Sequence, residues 1–179
     1  MCGRHNVANA LAALALGQAV GLPMHAMVKA LTVFTGLSHR CEWVADIDGV
    51  AYINDSKGTN IGASVAALEG LGPDLDGKII LIAGGLGKGA DFSGLVAPLT
   101  RYGRQVVLIG KDAQYIEEAL AGKVAHSHAK NMQAAVSMAY ELAVKGDLVL
   151  LSPACASFDA YANFEARGDH FTSLVRALA

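Results

Sequence analysis

The 179-residue sequence has only three cysteines, and none of them belongs to a CxxC pair. Cys2, Cys41 and Cys155 are far apart, so we expect reduced thiols in a cytoplasmic protein rather than a disulfide framework or a zinc site. Charged residues are also few, at 17% against 53% hydrophobic residues, which argues against a disordered chain. The net charge of −2 gives no reason to expect nucleic acid or an anionic membrane as a partner.

Long apolar runs are missing as well. The longest apolar stretch, ALAALALGQAVGL, contains glycines and a glutamine and is too short for a membrane span. We therefore expect neither a membrane-spanning helix nor a signal peptide.

Helices and strands alternate along most of the chain. Two apolar helices are predicted first, one ending at Gly21 and the next stopping at Gly36. The run CEWVADIDGVAYIND then predicts two strands joined at Asp48-Gly49. Four β-rich runs, KIILIAGG, QVVLIG, VAHSHA and DLVLLSP, alternate with helical stretches. We therefore predict an α/β fold, a Rossmann-like doubly wound and mostly parallel sheet with an antiparallel hairpin strand, preceded by two helices.

The two leading helices have no strands of their own to pack on. We therefore place a domain boundary at the segment GLSHR, residues 36–40. This divides the chain into a helical unit at residues 1–36 and an α/β domain at residues 37–179.

Polar and glycine-rich loops follow three of the predicted strands. They are NDSKGTN after the hairpin, GGLGKGADF after IILIA, and SPACASFDAYANF after LVLL. Ligands of open α/β sheets bind beyond the carboxyl ends of the strands. We therefore expect a site where these three loops meet.

The loop GGLGKGADF fits neither common nucleotide motif. A P-loop requires Ser or Thr after its Lys, whereas Gly89 follows Lys88. The glycines also lack the G-x-G-x-x-G spacing of a dinucleotide fingerprint. One interpretation is a simple turn in which Asp91 caps the next helix. The other is that Lys88 binds a substrate carboxylate.

The loop NDSKGTN also allows two interpretations. It is either a turn with a helix N-cap at Thr59 or Asn60, or an anion site formed by Lys57 and the helix N-terminus. In the second case Asp55 would bind a ribose or orient a cation. Arg40 is likewise either a solvated surface charge or a bidentate phosphate ligand.

Other reactive side chains lack suitable partners in the sequence. His126 and His128 alternate on a strand without a carboxylate or cysteine companion, so we expect no metal site there. No histidine is near Cys155, so we expect no catalytic thiol. The last loop, with Ser152 and Ser157, contains more small residues than a helix cap requires, which favours a ligand site.

Five motifs together resemble the Mur ligase family. In chain order they are GRHNVANALAA, GLSHRCE, INDSKGTN, GGLGKGADF and LSPACASFDAYANFEARGDHF, and they span nearly the whole chain. The last motif is most similar to that of the members that add D-glutamate. The D-N-P-R motif of members that add a diamino acid is absent.

The resemblance implies three domains in the full-length protein. Residues 1–36 would be the last helices of the central ATPase domain, and residues 37–179 would be the complete C-terminal ligase domain. The chain has no G-K-[ST] triplet. We therefore expect the P-loop and the UDP-sugar-binding half to be missing, and the chain alone to lack ligase activity.

The resemblance also implies a reaction in peptidoglycan synthesis. The carboxylate of UDP-N-acetylmuramoyl-L-alanine would attack the γ-phosphate of ATP, and the amine of D-glutamate would attack the resulting acyl phosphate. The expected partners are these three molecules and the missing N-terminal and central domains. Mg²⁺ would be held mainly by the central domain, so we expect no complete metal site in this chain.

Roles follow by position from the resemblance. It implies ATP contacts for Asn6, Asn9, Arg40 and Asp55, and catalytic roles for Lys57 and Arg40. In the D-glutamate pocket, Lys88 and the hydroxyl groups would meet the carboxylates. The pocket residues implied are Thr59, Lys88, Ser157, Phe158 and Phe164.

Three alternatives remain open from the sequence. Another Mur ligase or a folylpolyglutamate synthase relative would add a different amino acid. A dinucleotide-binding oxidoreductase domain is suggested only by the fold and the glycine content. A non-catalytic binding domain is the third, and it predicts that Lys88→Ala leaves the activity of the full-length protein intact.

Overall fold

The computed structural model describes residues 4–178, so Cys2 and the prediction made for its thiol lie outside the described residues. The α-helices are α1 (Arg4–Ala19), α2 (Met24–Val33), α3 (Ile61–Leu71), α4 (Val96–Tyr102), α5 (Ala113–Leu120), α6 (Met132–Leu142) and α7 (Phe164–Arg176). The strands are β1 (Glu42–Ile47), β2 (Val50–Asn54), β3 (Ile79–Gly84), β4 (Gly103–Ile109), β5 (His126–His128) and β6 (Leu148–Leu151). A short 3₁₀ turn at Gly72–Asp74 follows α3, and a second one at Phe92–Leu95 precedes α4.

The strands form one sheet in the order β1-β2-β6-β3-β4-β5. Only β1 is antiparallel to its neighbour, and the β2–β6, β6–β3, β3–β4 and β4–β5 pairs are parallel. The chain goes from β2 to β3, β4 and β5 and then returns to insert β6 between β2 and β3. This reversal opens a crevice at the carboxyl ends of β6 and β3, where ligands of such sheets bind. The predicted doubly wound, mostly parallel fold is confirmed.

Helices cover both faces of the sheet, because alternate residues of the central strands point to opposite sides. On one face Leu81 and Leu150 pack with residues of α3, α4 and α5. On the other, Ile82 and Val149 pack with residues of α6 and α7. All six residues of β3 are buried. Helices on both faces explain why the apolar run of β3 is uninterrupted, as the sequence predicts for a strand that is covered on both sides.

The predicted hairpin joins β1 and β2 at Asp48-Gly49. Both residues have positive φ, 55° and 77°, as the two central residues of a type I′ turn require. The Asp46 carboxylate accepts a hydrogen bond from the Gly49 N–H at 3.1 Å. On its other side β2 pairs with β6, so the polar loop that follows β2 begins next to the carboxyl end of β6.

The two leading helices pack on each other and α1 also packs on α3. They leave large apolar side chains exposed, including Leu16 at 70%, Val20 at 76% and Val33 at 75%. None of the helices in the part of the chain that the structure describes is long and apolar enough to cross a membrane. The division into residues 1–36 and 37–179 stays a prediction.

Asparagine caps begin three of the helices. Asn60, Asn131 and Asn163 each accept a hydrogen bond from the N–H three residues later, at 3.0, 2.9 and 2.7 Å. The sequence allowed Thr59 or Asn60 as the cap of α3, and the structure selects Asn60. Asp91 caps the 3₁₀ turn before α4, as the simpler interpretation of its loop predicted.

Replacing Asn131 with alanine should lower the free energy of unfolding by about 1 kcal/mol, because the side-chain acceptor at the start of α6 is lost. Urea unfolding of the two proteins would measure the difference. Asn131→Asp is the matched control, since it keeps an acceptor and adds a favourable charge at the helix N-terminus. A loss as large for the aspartate as for the alanine would contradict the capping role.

Candidate functional site

Backbone hydrogen bonds join the three polar loops at the carboxyl edge of the sheet. We call them the β2 loop (NDSKGTN), the β3 loop (GGLGKGADF) and the β6 loop (SPACASFDAYANF). Leu86 and Ala156 exchange N–H···O bonds of 2.9 and 3.0 Å, which attach the β3 loop to the β6 loop. The Ala154 N–H donates to the Gly58 carbonyl at 2.9 Å, which attaches the β6 loop to the β2 loop. The expectation that these loops meet is therefore confirmed, and the β6 loop is the central one.

Asp55 is a buried anchor in this arrangement, only 7% exposed. One carboxylate oxygen accepts from the Cys41 N–H at 3.2 Å, and the other accepts from the Ser152 hydroxyl at 2.7 Å. The Ser64 hydroxyl donates to the Ser152 carbonyl at 3.0 Å. A Cβ added at Gly58 would lie 2.7 Å from both Asp55 Oδ2 and Ser152 Oγ. This close approach explains the glycine after Lys57.

The residues implied as ATP contacts lie together. Asn6, Asn9, Arg40 and Asp55 line one cavity of about 170 Å³. Lys57 lines the same cavity. The Asn9 amide donates to the Asn6 side-chain oxygen at 3.3 Å. Helix α1 and the α/β domain thus both contribute side chains to this cavity, which lies beside α3.

Lys57 lies between this cavity and the start of α7. Its Nζ is 3.8 Å from the centre of the Phe164 ring, a cation–π contact. Its backbone N–H donates to the His39 carbonyl at 3.0 Å. Phe164 is therefore placed to direct the ammonium group of Lys57.

Lys88 lies on the exposed part of the β3 loop, in the left-handed conformation with φ 54°. Its Nζ is 5.9 Å from the centre of the Phe158 ring. Phe158 is 63% exposed, whereas its neighbour Ser157 is 2% exposed. Lys88 lines an open groove of about 810 Å³ together with Tyr115 of α5. Within the described residues, no ion pair includes Lys88.

The structure divides the implied D-glutamate pocket between two places. Thr59, half-buried, is on the β2 loop with Lys57, and its N–H donates to the Lys57 carbonyl at 2.8 Å. Phe164 faces Lys57, whereas Phe158 faces Lys88. The hydrogen bonds between the loops connect the two places. The roles of these residues stay predictions.

The expectation that His126 and His128 lack a carboxylate companion is wrong. Glu117 of α5 contacts both imidazoles, with its oxygens 3.0 Å from His126 Nε2 and 2.8 Å from His128 Nε2. Hydrogen bonds from His128 and then His126 lower the pKa of Glu117. No group of three or more His, Cys, Asp or Glu among residues 4–178 could hold a metal ion.

Cys155 has a free thiol, and both Cys155 and Cys41 are buried. Burial raises the pKa of the Cys155 thiol to about 12, so it stays protonated at neutral pH. A thiolate is the nucleophilic form, and this environment does not favour it.

Arg167 is the main residue that the sequence analysis missed. It is the largest of the fully buried side chains, at 1% exposure. Burial lowers the pKa of its guanidinium to about 10, which leaves it charged at neutral pH. In the sequence, its only signal is its place in the motif NFEARG.

Comparison with protein families gives one match for most of this domain. The family described as "Mur ligase, glutamate ligase domain" matches residues 39–155. The β1–β2 hairpin, the loops after β2 and β3, and the first four residues of the loop after β6 lie within this match.

Curated relatives are similar along nearly all of the chain. The UDP-N-acetylmuramoylalanine–D-glutamate ligase of Pseudomonas syringae pv. syringae is 58% identical over 177 residues, which are 99% of this chain and 40% of that protein. The enzyme of the same name from Nitrosococcus oceani is 59% identical over 178 residues, 99% of this chain and 39% of that protein. The chain thus spans about 40% of the length of the curated relatives it matches.

Solved structures share the fold at low identity. The folylpolyglutamate synthase of Mycobacterium tuberculosis, complexed with ADP and AMPPCP, gives a TM-score of 0.74 at 19% identity, covering 96% of this chain and 41% of that one. The MurF ligase of Thermotoga maritima in complex with ADP gives 0.71 at 16% identity, covering 99% and 40%. At these identities the likeness shows the fold alone.

Proposed function

Because this chain belongs to the Mur ligase family, we propose that it is the C-terminal part of an ATP-dependent ligase that adds D-glutamate to UDP-N-acetylmuramoyl-L-alanine. The identity of 55–59% to D-glutamate ligases supports D-glutamate as the amino acid that the proposed enzyme adds. In the proposed enzyme the chain contacts ATP and binds D-glutamate, in the cytoplasm. The remaining length of the protein supplies the muramoyl substrate site and most of the ATP site.

One observation carries the proposal. Two lysines, Lys57 and Lys88, project from two loops that the β6 loop joins at the carboxyl edge of the sheet. Each ammonium group has an aromatic ring beside it, Phe164 or Phe158. Two fixed cations at one edge suit a reaction between a phosphorylated carboxylate and a dicarboxylic amino acid.

On the ATP side, Asn6, Asn9, Arg40 and Asp55 would hold the nucleotide against α1 and α3. Arg40 is exposed and presents five N–H donors, which suits the phosphate oxygens. Asp55 lines the cavity that these four residues share, and a carboxylate oxygen is a suitable acceptor for a ribose hydroxyl. Lys57 lines the same cavity and would neutralise the phosphoryl group that is transferred.

On the amino-acid side, Lys88 and the hydroxyls of Thr59 and Ser157 would bind the carboxylates of D-glutamate. Phe158 and Phe164 would pack against its methylene carbons. The muramoyl-alanine carboxylate attacks the γ-phosphorus and ADP leaves. The D-glutamate amine then attacks the carbonyl carbon, and phosphate leaves as the amide forms. The residues of this chain contribute orientation and charge neutralisation to these steps.

Mg²⁺ accompanies ATP in the proposed reaction. Among the described residues, no group of three or more His, Cys, Asp or Glu could hold a metal ion. No step is therefore assigned to a metal held by this chain.

An amino-acid panel with the full-length protein tests the proposal. Phosphate release should require ATP, UDP-N-acetylmuramoyl-L-alanine and D-glutamate together. We expect L-glutamate and D-aspartate to be used at least about a hundredfold less well, because a site that binds two carboxylates rejects a misplaced one. The 179-residue chain alone is the matched negative control. Turnover with L-glutamate and a folate acceptor would instead support the folylpolyglutamate alternative.

A further inference from the structure

Arg167 is buried in α7, and the carboxylate of Asp159 acts favourably on its charge from beyond ion-pair distance. Among the described residues, no ion pair includes it. A buried charge that lacks a counter-ion is costly unless hydrogen bonds replace its water. An apolar side chain of similar volume would serve stability as well or better. We therefore ask which parts of the structure the guanidinium of Arg167 holds in place.

The hydrogen bonds of Arg167 connect two of the site loops. Nε donates to the Ser56 hydroxyl at 3.0 Å, and Nη2 donates to the Ser56 carbonyl at 2.9 Å. Nη1 donates to the Cys155 carbonyl at 3.1 Å. Since the guanidinium is a rigid planar fork, these bonds fix the distance and the angle between the β2 loop and the β6 loop.

Both acceptors lie next to residues of the proposed D-glutamate site. Ser56 lies three residues before Thr59 in the β2 loop, and its hydroxyl donates to the carbonyl of Phe164 at 2.8 Å. Cys155 is followed by Ala156, whose backbone pairs with Leu86 in the loop that carries Lys88. One guanidinium therefore connects the β2 loop and the β6 loop directly, the start of α7 through Ser56, and the β3 loop through Ala156.

Gly168 allows α7 to come close enough for these bonds. A Cβ at this position would lie 2.3 Å from His39 Nδ1 and 3.0 Å from the Asn54 amide. The Asn54 side chain donates to the Gly168 carbonyl at 3.2 Å. The adjacent Arg and Gly of the motif NFEARG thus act together. The glycine lets α7 pack closely on β2, and the arginine then reaches the two loops and hydrogen-bonds to both.

The ATP side has separate anchors. The Asp55 carboxylate is held by the Cys41 N–H and the Ser152 hydroxyl, and Arg167 is not among these partners. Loss of the Arg167 bonds should therefore disturb the D-glutamate residues more than the ATP residues.

We propose that Arg167 is a positioning residue that sets the spacing of Thr59, Ser157 and Phe164, and so determines the affinity of the ligase for D-glutamate. It acts through the backbone of the two loops and does not itself touch substrate. This inference rests on the proposed function.

The test is Arg167→Lys in the full-length ligase, with steady-state kinetics for both substrates and a thermal melt. Lysine keeps the charge but cannot make three bonds in one plane. We expect the KM for D-glutamate to rise at least about tenfold, as displaced binding groups lose orientation. The KM for ATP should change less than about twofold, because its anchors are intact.

Two further variants make the test decisive. Arg104→Lys alters a second arginine of the chain, on β4, and should lower the melting temperature without changing either KM. Ser56→Ala removes one acceptor of Arg167 and should raise the KM for D-glutamate in the same direction by a smaller factor. If Arg167→Lys does not fold, Ser56→Ala alone tests the inference. A raised KM for D-glutamate in that variant supports it, and an unchanged KM overturns it.

An unchanged KM for D-glutamate in these variants, with an active wild type, overturns the inference. An equal rise in the KM values for ATP and D-glutamate also overturns it, since that indicates a general loosening. A wild type that does not use D-glutamate overturns the proposed function, and the inference with it, and the amino-acid panel separates that result from the first two.

Discussion

Lys88→Ala in the full-length enzyme is expected to raise the KM for D-glutamate by about a hundredfold. A charged hydrogen bond to a carboxylate contributes about 1.5–3 kcal/mol, and the upper value corresponds to about a hundredfold in affinity. Lys88 is suited to this role because it is exposed beside Phe158 and belongs to no ion pair of the described residues. The KM for ATP should change little, since Lys88 does not line the cavity of Asn6 and Arg40.

Lys145→Ala is the matched control for this experiment. Lys145 is also exposed, but it lies between α6 and β6, before the amino end of β6. It should leave both KM values unchanged. A Lys88→Ala enzyme with wild-type kinetics would contradict the proposed carboxylate contact and would support the non-catalytic alternative for this domain.

The fold was predictable because its signals are local. The positive φ angles of the hairpin turn are ones that Asp48 and Gly49 tolerate. The uninterrupted apolar run of β3 requires cover on both faces. Once these elements form a parallel sheet, the loops at the carboxyl ends must gather at one edge. Their meeting place could therefore be predicted without any contact being known.

The connections within the site could not be predicted, because they join residues far apart in the chain. Arg167 and Ser56 are 111 positions apart, and Ser152 and Asp55 are 97 apart. No periodicity or spacing in a single sequence indicates such a pair. Glu117 was missed for a related reason, since it contacts His126 and His128 only after α5 has packed beside β5. Sequence patterns thus predicted where the three loops meet, and tertiary hydrogen bonds determine how these loops are held.

A second cluster of long-range hydrogen bonds lies at the opposite end of the sheet. Asp147, 1% exposed, precedes β6 and accepts from Arg104 of β4 through Nε and Nη2. It also accepts from the Lys78 N–H at 2.9 Å and the Val144 N–H at 3.0 Å. Asp147 thus fastens the amino ends of β3, β4 and β6. Burial alone would raise the pKa of Asp147, but these hydrogen bonds outweigh burial and hold the pKa below its ordinary value.

Asp147→Asn should lower the free energy of unfolding by about 3 kcal/mol at neutral pH, because it breaks a buried ion pair and leaves donors unmatched. Urea unfolding measures this loss, and Asp76→Asn on the exposed neighbouring turn is the matched control with a change near zero. A loss below about 1 kcal/mol would contradict the anchoring role.

The pH dependence of this loss has a definite sign. A carboxyl whose pKa is lower in the folded than in the unfolded state stabilises the fold above the unfolded value of about 4. That contribution disappears as the pH falls through the folded pKa. The wild type should therefore lose more stability than Asp147→Asn as the pH is lowered from 5, and parallel curves would contradict the assignment. Since Asp147 lies at the end of the sheet away from the site loops, its substitution should leave both KM values unchanged at temperatures well below unfolding. Stability and substrate binding would then be separable in this domain, the first depending on the amino ends of the strands and the second on the loops at their carboxyl ends.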